Sequence, residues 1–221
     1  MKKRFVFYSI MLLCGIIVYC GCSEKHSGNE ENMNDEDVVC LCPPTIFLQP
    51  YGNFTQKEAA KLQKDLEKLI EELFSLDLDY EVLPTQPLSD SLLNQAKTRY
   101  RADKIIKSLL TKADKQHIYI GLTHKDISCS IRGNADWGIQ GLSFIPGDAC
   151  VVSTSRVNDK NDFPKVVTHE FIHTYFDYHH CPKDDPTCLM QDAKGKPNFK
   201  IKKGLCGYCR EQLGGKQMQL K

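Results

Sequence analysis

The stretch His169-Glu170-Phe171-Ile172-His173 decides how this chain of 221 residues is read. Two His four residues apart on a helix project from nearly one face, one turn apart, so both can reach a single metal ion. Neutral imidazole suits zinc, and a Glu beside the first His can reach a zinc-bound water. Zinc lowers the pKa of that water to roughly 7, and Glu170 is expected to take its proton as the water attacks a carbonyl. The helix begins near Asp162-Phe163-Pro164, where Pro is tolerated in the first turn. The pattern points to metal-assisted hydrolysis.

Upstream, the chain alternates strand and helix signals. Thr45 to Gln49 is β-rich, and Pro50-Tyr51-Gly52-Asn53 is turn chemistry. Thr55-Gln56-Lys57-Glu58 reads as a capping box, and Ala59, Leu62, Leu66, Leu69, Ile70, Leu73 and Phe74 follow at helical spacing. Tyr80 to Leu83 is a second strand. A second helix is expected from about Ser91 to Leu110, and His117 to Leu122 is a third strand. A Gly-rich segment then holds Ile139 to Phe144 as an edge strand, and Cys150 to Ser155 is the last strand before the His-bearing helix. This order predicts an α/β (α+β) domain with a mixed sheet. Beyond Tyr178 the chain is irregular, polar and Cys-rich, with too few apolar residues to hold itself together.

The 29 Lys and Arg balance 28 Asp and Glu. That balance argues against a nucleic-acid partner, since phosphate contacts need a basic excess. The 11 Cys are too many for inert packing and ask for disulfides, metal or both.

The N-terminus reads as an address. Lys2-Lys3-Arg4 precedes an apolar run from Phe5 to Tyr19, which ends in Cys20-Gly21-Cys22-Ser23. This looks like a bacterial lipobox, with Cys22 as the lipidated residue and residues 1–21 as the signal peptide. Loss of Lys2, Lys3 and Arg4 takes the formal net charge from +1 to −2. Residues 22–43 form an acidic tether, expected to be disordered. The acidic stretch resembles the surface-export signals of Bacteroidota lipoproteins. The expected location is the cell envelope, lipid-anchored to the outer membrane and facing the cell surface, with membrane contact through the anchor alone.

Downstream of the helix come His179-His180-Cys181, Cys188-Leu189-Met190 and Cys206-Gly207-Tyr208-Cys209. With these residues the chain resembles the archaemetzincins (archaelysins), a branch of the metzincin zinc peptidases. Their motif is HExxHxxGxxHC, followed by a Cys, C-x-M and CxxC, and the resemblance covers about residues 45 to 210. It implies a metzincin-like zincin: a twisted mixed sheet packed on two long helices and an active-site helix. It also implies an edge strand before Cys150 that lines the cleft and pairs with an extended peptide or protein substrate. The catalytic domain would span 44–180, and 181–221 would be a small Cys-rich C-terminal subdomain. Two zinc ions are implied. One is catalytic, on His169, His173 and a third His. The other is structural, on Cys181, Cys188, Cys206 and Cys209, for which the alternative is two disulfides. Met190 takes the place of the Met-turn residue beneath the catalytic metal. A monomer is expected.

The chain departs from the motif at the Gly that ends the helix. Counting from His169 places Phe176 there and makes His179 the third ligand. Counting back from Cys181 places Asp177 there and makes His180 the third ligand, with one inserted residue. Asp tolerates the left-handed conformation better than Phe, which favours His180. Without a turn, His180 would lie about 10 Å along the helix from His173, out of reach. Asp184 and Asp185 are nearby oxygen donors that read more simply as a solvated loop. A Cys129–Cys150 disulfide and two buried thiols are equally open, and Cys40 and Cys42 have no assigned role. The alternative to a peptidase is a zinc-stabilised binding lipoprotein disabled at the motif Gly. Glu170 favours the enzyme, because a binder has no use for it.

Overall fold

A computed structural model describes residues 44–111, 117–131, 133–193 and 198–219. The lipobox with Cys22, the acidic tether, and Cys40 and Cys42 lie outside the described residues. No helix among the described residues is long and apolar enough to cross a membrane.

The first strand, β1 (Ile46–Tyr51), leads into helix α1 (Gln56–Phe74). Thr55 caps that helix: its hydroxyl accepts from the Glu58 N–H, and its own N–H donates back to the Glu58 carboxylate. Ala59, Leu62, Leu66, Ile70 and Phe74 are buried along one stripe. The helix stops at Ser75, whose left-handed backbone returns an N–H to the Glu71 carbonyl. Then come β2 (Tyr80–Val82), β3 (Tyr100–Arg101), α2 (Ala102–Leu110), β4 (Ile118–Thr123), β5 (Ile127–Ile131) and β6 (Asn134–Ile139). The chain finishes with β7 (Gly141–Ser143), β8 (Ala149–Ser153), α3 (Phe163–Phe176) and α4 (Gly207–Gln219).

The main sheet has the order β2-β1-β4-β8-β7, parallel except for β7, which runs antiparallel to β8 at the edge. β4 and β8 are buried throughout, as a parallel sheet covered on both faces requires. Their alternate residues feed two cores. Ile118, Ile120, Leu122, Cys150 and Val152 face α1, α3 and the C-terminal tail. Tyr119, Ala149 and Val151 face α2 and the β5–β6 hairpin. Gly121 lets α2 approach the sheet, since a Cβ there would sit 3.2 Å from both Leu109 and Val151.

Three expectations need correction. The helix placed from Ser91 to Leu110 begins only at Ala102. Ahead of it, the Asn94 carboxamide accepts from the Thr98 and Arg99 N–H groups, and Lys97 turns left-handed. Those local bonds replace the helical ones. The Gly-rich segment is a hairpin: β5 and β6 join β3 in a second sheet, and the edge strand of the main sheet is only Gly141–Ser143. The tail is not irregular to its end but closes with α4, and Leu189, Met190, Leu205 and Leu213 enter the same core as α1 and α3.

Candidate active site

Helix α3 is buried nearly all round, so its polar residues need partners inside the protein. His169 and His173 lie on one face with their Nε2 atoms 3.1 Å apart. Each ring is aimed from behind by a carbonyl: His169 Nδ1 donates to Leu189 O at 2.7 Å, and His173 Nδ1 to Tyr178 O at 2.5 Å. A proton fixed on Nδ1 leaves the Nε2 lone pair directed forward, the arrangement of a metal-binding imidazole. Burial keeps both rings neutral, pushing His169 well below the usual imidazole range and His173 down to about 4.

The chain reverses at Asp177, which is left-handed (φ 46°), while Phe176 stays helical and packs on Phe74. The turn swings His180 back, its ring centroid 5.3 Å from that of His169 and 4.7 Å from that of His173. One ring nitrogen each from His169, His173 and His180 lies within 4.8 Å of the others. His179 is exposed and does not join them.

Glu170 projects toward β7, where the Ser143 hydroxyl lies 2.6 Å from its Oε2 and 2.9 Å from its carbonyl oxygen. Gly141 supplies the room: a Cβ there would stand 2.6 Å from the Glu170 side chain. Burial lifts the Glu170 carboxyl to about 7, against the opposing pull of Ser143. The three His, Glu170 and β7 border one cleft of about 1210 Å³, with the β5–β6 hairpin on one bank and Phe199 to Lys202 on the other.

The second cluster gathers Cys181, Cys188, Cys206 and Cys209, with all four sulfurs within 4.8 Å of one another. Cys181–Cys206 and Cys188–Cys209 are each separated by 3.7 Å, sulfur to sulfur, and all four are free thiols. A zinc ion bonded to sulfur at about 2.3 Å has tetrahedral edges of about 3.8 Å, so the cluster has the dimensions of a four-thiolate zinc site. The paired Nε2 atoms of His169 and His173 similarly match nitrogen ligands at about 2.0–2.1 Å from one ion.

The other singled-out residues fall outside these clusters. Met190 is fully buried, and its carbonyl accepts from the Cys181 N–H. Asp185 caps its own loop through Thr187, and Asp184 lines the cleft. Cys129 and Cys150 are both free and buried, so the disulfide between them does not form. Sequence reasoning missed Ser143, Gly141 and the two carbonyls behind the His rings. Only the edge-strand expectation pointed toward the first two.

The fold recurs in solved structures. Archaemetzincin from Methanopyrus kandleri superposes with a TM-score of 0.63 at 20% identity, covering 80% of this chain and 96% of that one. The chain has the archaemetzincin fold. Archaemetzincin from Archaeoglobus fulgidus, complexed with malonate, gives a TM-score of 0.54 at 18% identity over 76% of this chain and 99% of that one. A zinc-dependent peptidase from Methanocorpusculum labreanum gives 0.56 at 16% identity over the same shares, 76% and 99%. No family model matches the chain, and no curated protein matches it. Against the archaemetzincin motif, the departure at the helix-ending Gly is met by Asp177 in the left-handed position.

Proposed function

We propose that this protein is a zinc-dependent metallopeptidase acting on an extended peptide or protein substrate laid along β7. The observation that carries this reading is the Glu170 carboxylate, buried beside three convergent His and held at the cleft by Ser143. Zinc on His169, His173 and His180 would supply Lewis-acid polarisation of the scissile carbonyl and acidify water.

The chain's own residues perform the remaining tasks. Glu170 takes a proton from the attacking water and delivers it to the leaving amine. Burial raises the basicity of the Glu170 carboxylate, which favours the first transfer, and the resulting carboxylic acid supplies the second. β7 pairs only with β8 among the described strands, so its outer backbone groups can receive a substrate strand. Cys181, Cys188, Cys206 and Cys209 would hold a structural zinc that fastens the tail, and Met190 would form the apolar floor behind the His cluster. The protein would act as a monomer in the cell envelope, tethered through lipidated Cys22, without a nucleic-acid partner. The zinc-dependent peptidase from Methanocorpusculum labreanum, which shares the fold, supports the reading.

Replacing Glu170 with Ala tests it. The variant should retain both zincs by elemental analysis and lose roughly 10²–10⁴-fold in peptide hydrolysis. Undiminished hydrolysis overturns the assignment of Glu170 as base. A peptide-library digest with the zinc-loaded protein then identifies the substrate sequences.

A further inference from the structure

Tyr178 stands between the turn at Asp177 and the first Cys of the tail. Its carbonyl accepts from His173 Nδ1, and its buried hydroxyl donates to Cys209 Sγ at 3.3 Å. One residue therefore touches a member of each cluster, the His cluster through its backbone and the Cys cluster through its side chain. A second path runs beside it. Leu189, whose carbonyl orients His169, directly follows Cys188, and its N–H is tied to the Gly204 carbonyl at 2.6 Å. The Cys181 N–H closes the loop on the Met190 carbonyl at 2.7 Å. Both imidazoles that face each other thus take their orientation from carbonyls on segments pinned by the four Cys.

We propose that Tyr178 is a positioning residue that couples the two clusters, so that metal on the four Cys raises the affinity of the His cluster for metal. The inference rests on reading His169, His173 and His180 as a metal site. Metal on the Cys cluster would hold Cys209 as a thiolate, and the Tyr178 hydroxyl bond to its sulfur would then be charge-assisted, fixing the ring and, through it, the carbonyl behind His173. Partners that orient ligating His typically govern metal affinity by 10- to 100-fold. Because coupling between binding sites is reciprocal, metal on the His cluster tightens the Cys cluster by the same factor.

Tyr178→Phe in the full chain removes the hydroxyl and keeps both ring and carbonyl. With Co²⁺ as the probe, the thiolate charge-transfer band reports the Cys cluster, and competition against a chelator gives the dissociation constant at the His cluster. The expected result is a charge-transfer band that persists at full intensity, showing that the Cys cluster still takes up Co²⁺, with affinity at the His cluster about tenfold weaker. Equal dissociation constants in the variant and the unaltered protein overturn the coupling and leave the metal-site reading standing. No Co²⁺ at the His cluster of the unaltered protein overturns both. If the variant fails to fold, the unaltered chain decides. Its His-cluster affinity should fall when a thiol-selective reagent strips the four Cys, and an unchanged value overturns the coupling.

Discussion

The Ser143 hydroxyl lies 2.6 Å from Oε2 of Glu170, so the strand that borders the cleft also holds the carboxylate inside it. Ser143→Ala is expected to keep both zincs while kcat falls roughly 10- to 100-fold, the range for losing a hydrogen bond to a charged group. Ser143 lowers the Glu170 pKa and burial raises it, so deleting the hydroxyl moves that pKa upward. The base works ionised, and the rising limb of kcat/KM against pH should therefore shift to higher pH. An unmoved limb counts against the contact.

Gly141 tests the same contact from the other side. Gly141→Ala places a methyl group 2.6 Å from the Glu170 side chain, so that side chain must move. Because displacements of about 1 Å cost catalysis about 10²-fold, activity should drop by that order with zinc content preserved. Kinetics paired with elemental analysis checks this, and wild-type activity would show that Glu170 has slack.

The third metal ligand is decided by two single variants. His180→Ala should lose the zinc of the His cluster, because its ring closes that cluster. His179→Ala should keep two zincs per chain, since His179 is exposed and outside it. The reverse pattern would require a different course after Asp177.

Asp126 gives a second pH dependence, carried by its ion pairs with Arg99 and Arg156. Arg156 grips both of its carboxylate oxygens (2.7 and 2.8 Å), and Arg99 bridges it to Asp136. Burial pushes the Asp126 carboxyl up, but the bonds and charges of Arg156 and Arg99 outweigh it and hold the pKa below the usual range. A depressed folded-state pKa contributes stability above the unfolded value, and that contribution is lost as pH falls through the folded one. Asp126→Asn should therefore cost about 1 kcal/mol at neutral pH, and the cost should shrink below about pH 4. Denaturant unfolding at several pH values measures this, and a cost independent of pH would exclude the ionic origin.

Long, periodic or motif-bearing features are legible in the amino-acid sequence alone. The capping box at Thr55, the apolar stripe of α1 and the largely apolar runs of β4 and β8 each follow from one dominant force. So does the gathering of the His and Cys motifs, whose residue types have few other uses in such spacing. The hairpin β5–β6 was hidden because Asn134 and Ala135 are exposed and Asp136 is a charged residue half-buried against Arg99, leaving no apolar alternation to read. The start of α2 was hidden because one carboxamide, Asn94, outcompeted helix formation locally. Gly207, Gly214 and Gly215 disguised α4, since Gly disfavours helix and packing of Cys209 and Leu213 into the core offsets that cost. The carbonyls of Tyr178 and Leu189 carry no residue-type signal, because every residue has one.

The confronting Nε2 atoms of His169 and His173 have a consequence for the life of the protein in the cell. Their Nδ1 bonds to the Leu189 and Tyr178 carbonyls hold both rings with Nε2 turned toward one point, so the folded chain already has the orientation that a shared cation would need. A cation that binds the folded chain and not the unfolded one would add part of its binding free energy to the stability of the fold. The supply of metal during maturation would thereby regulate how much native protein accumulates, as well as how much of it is active.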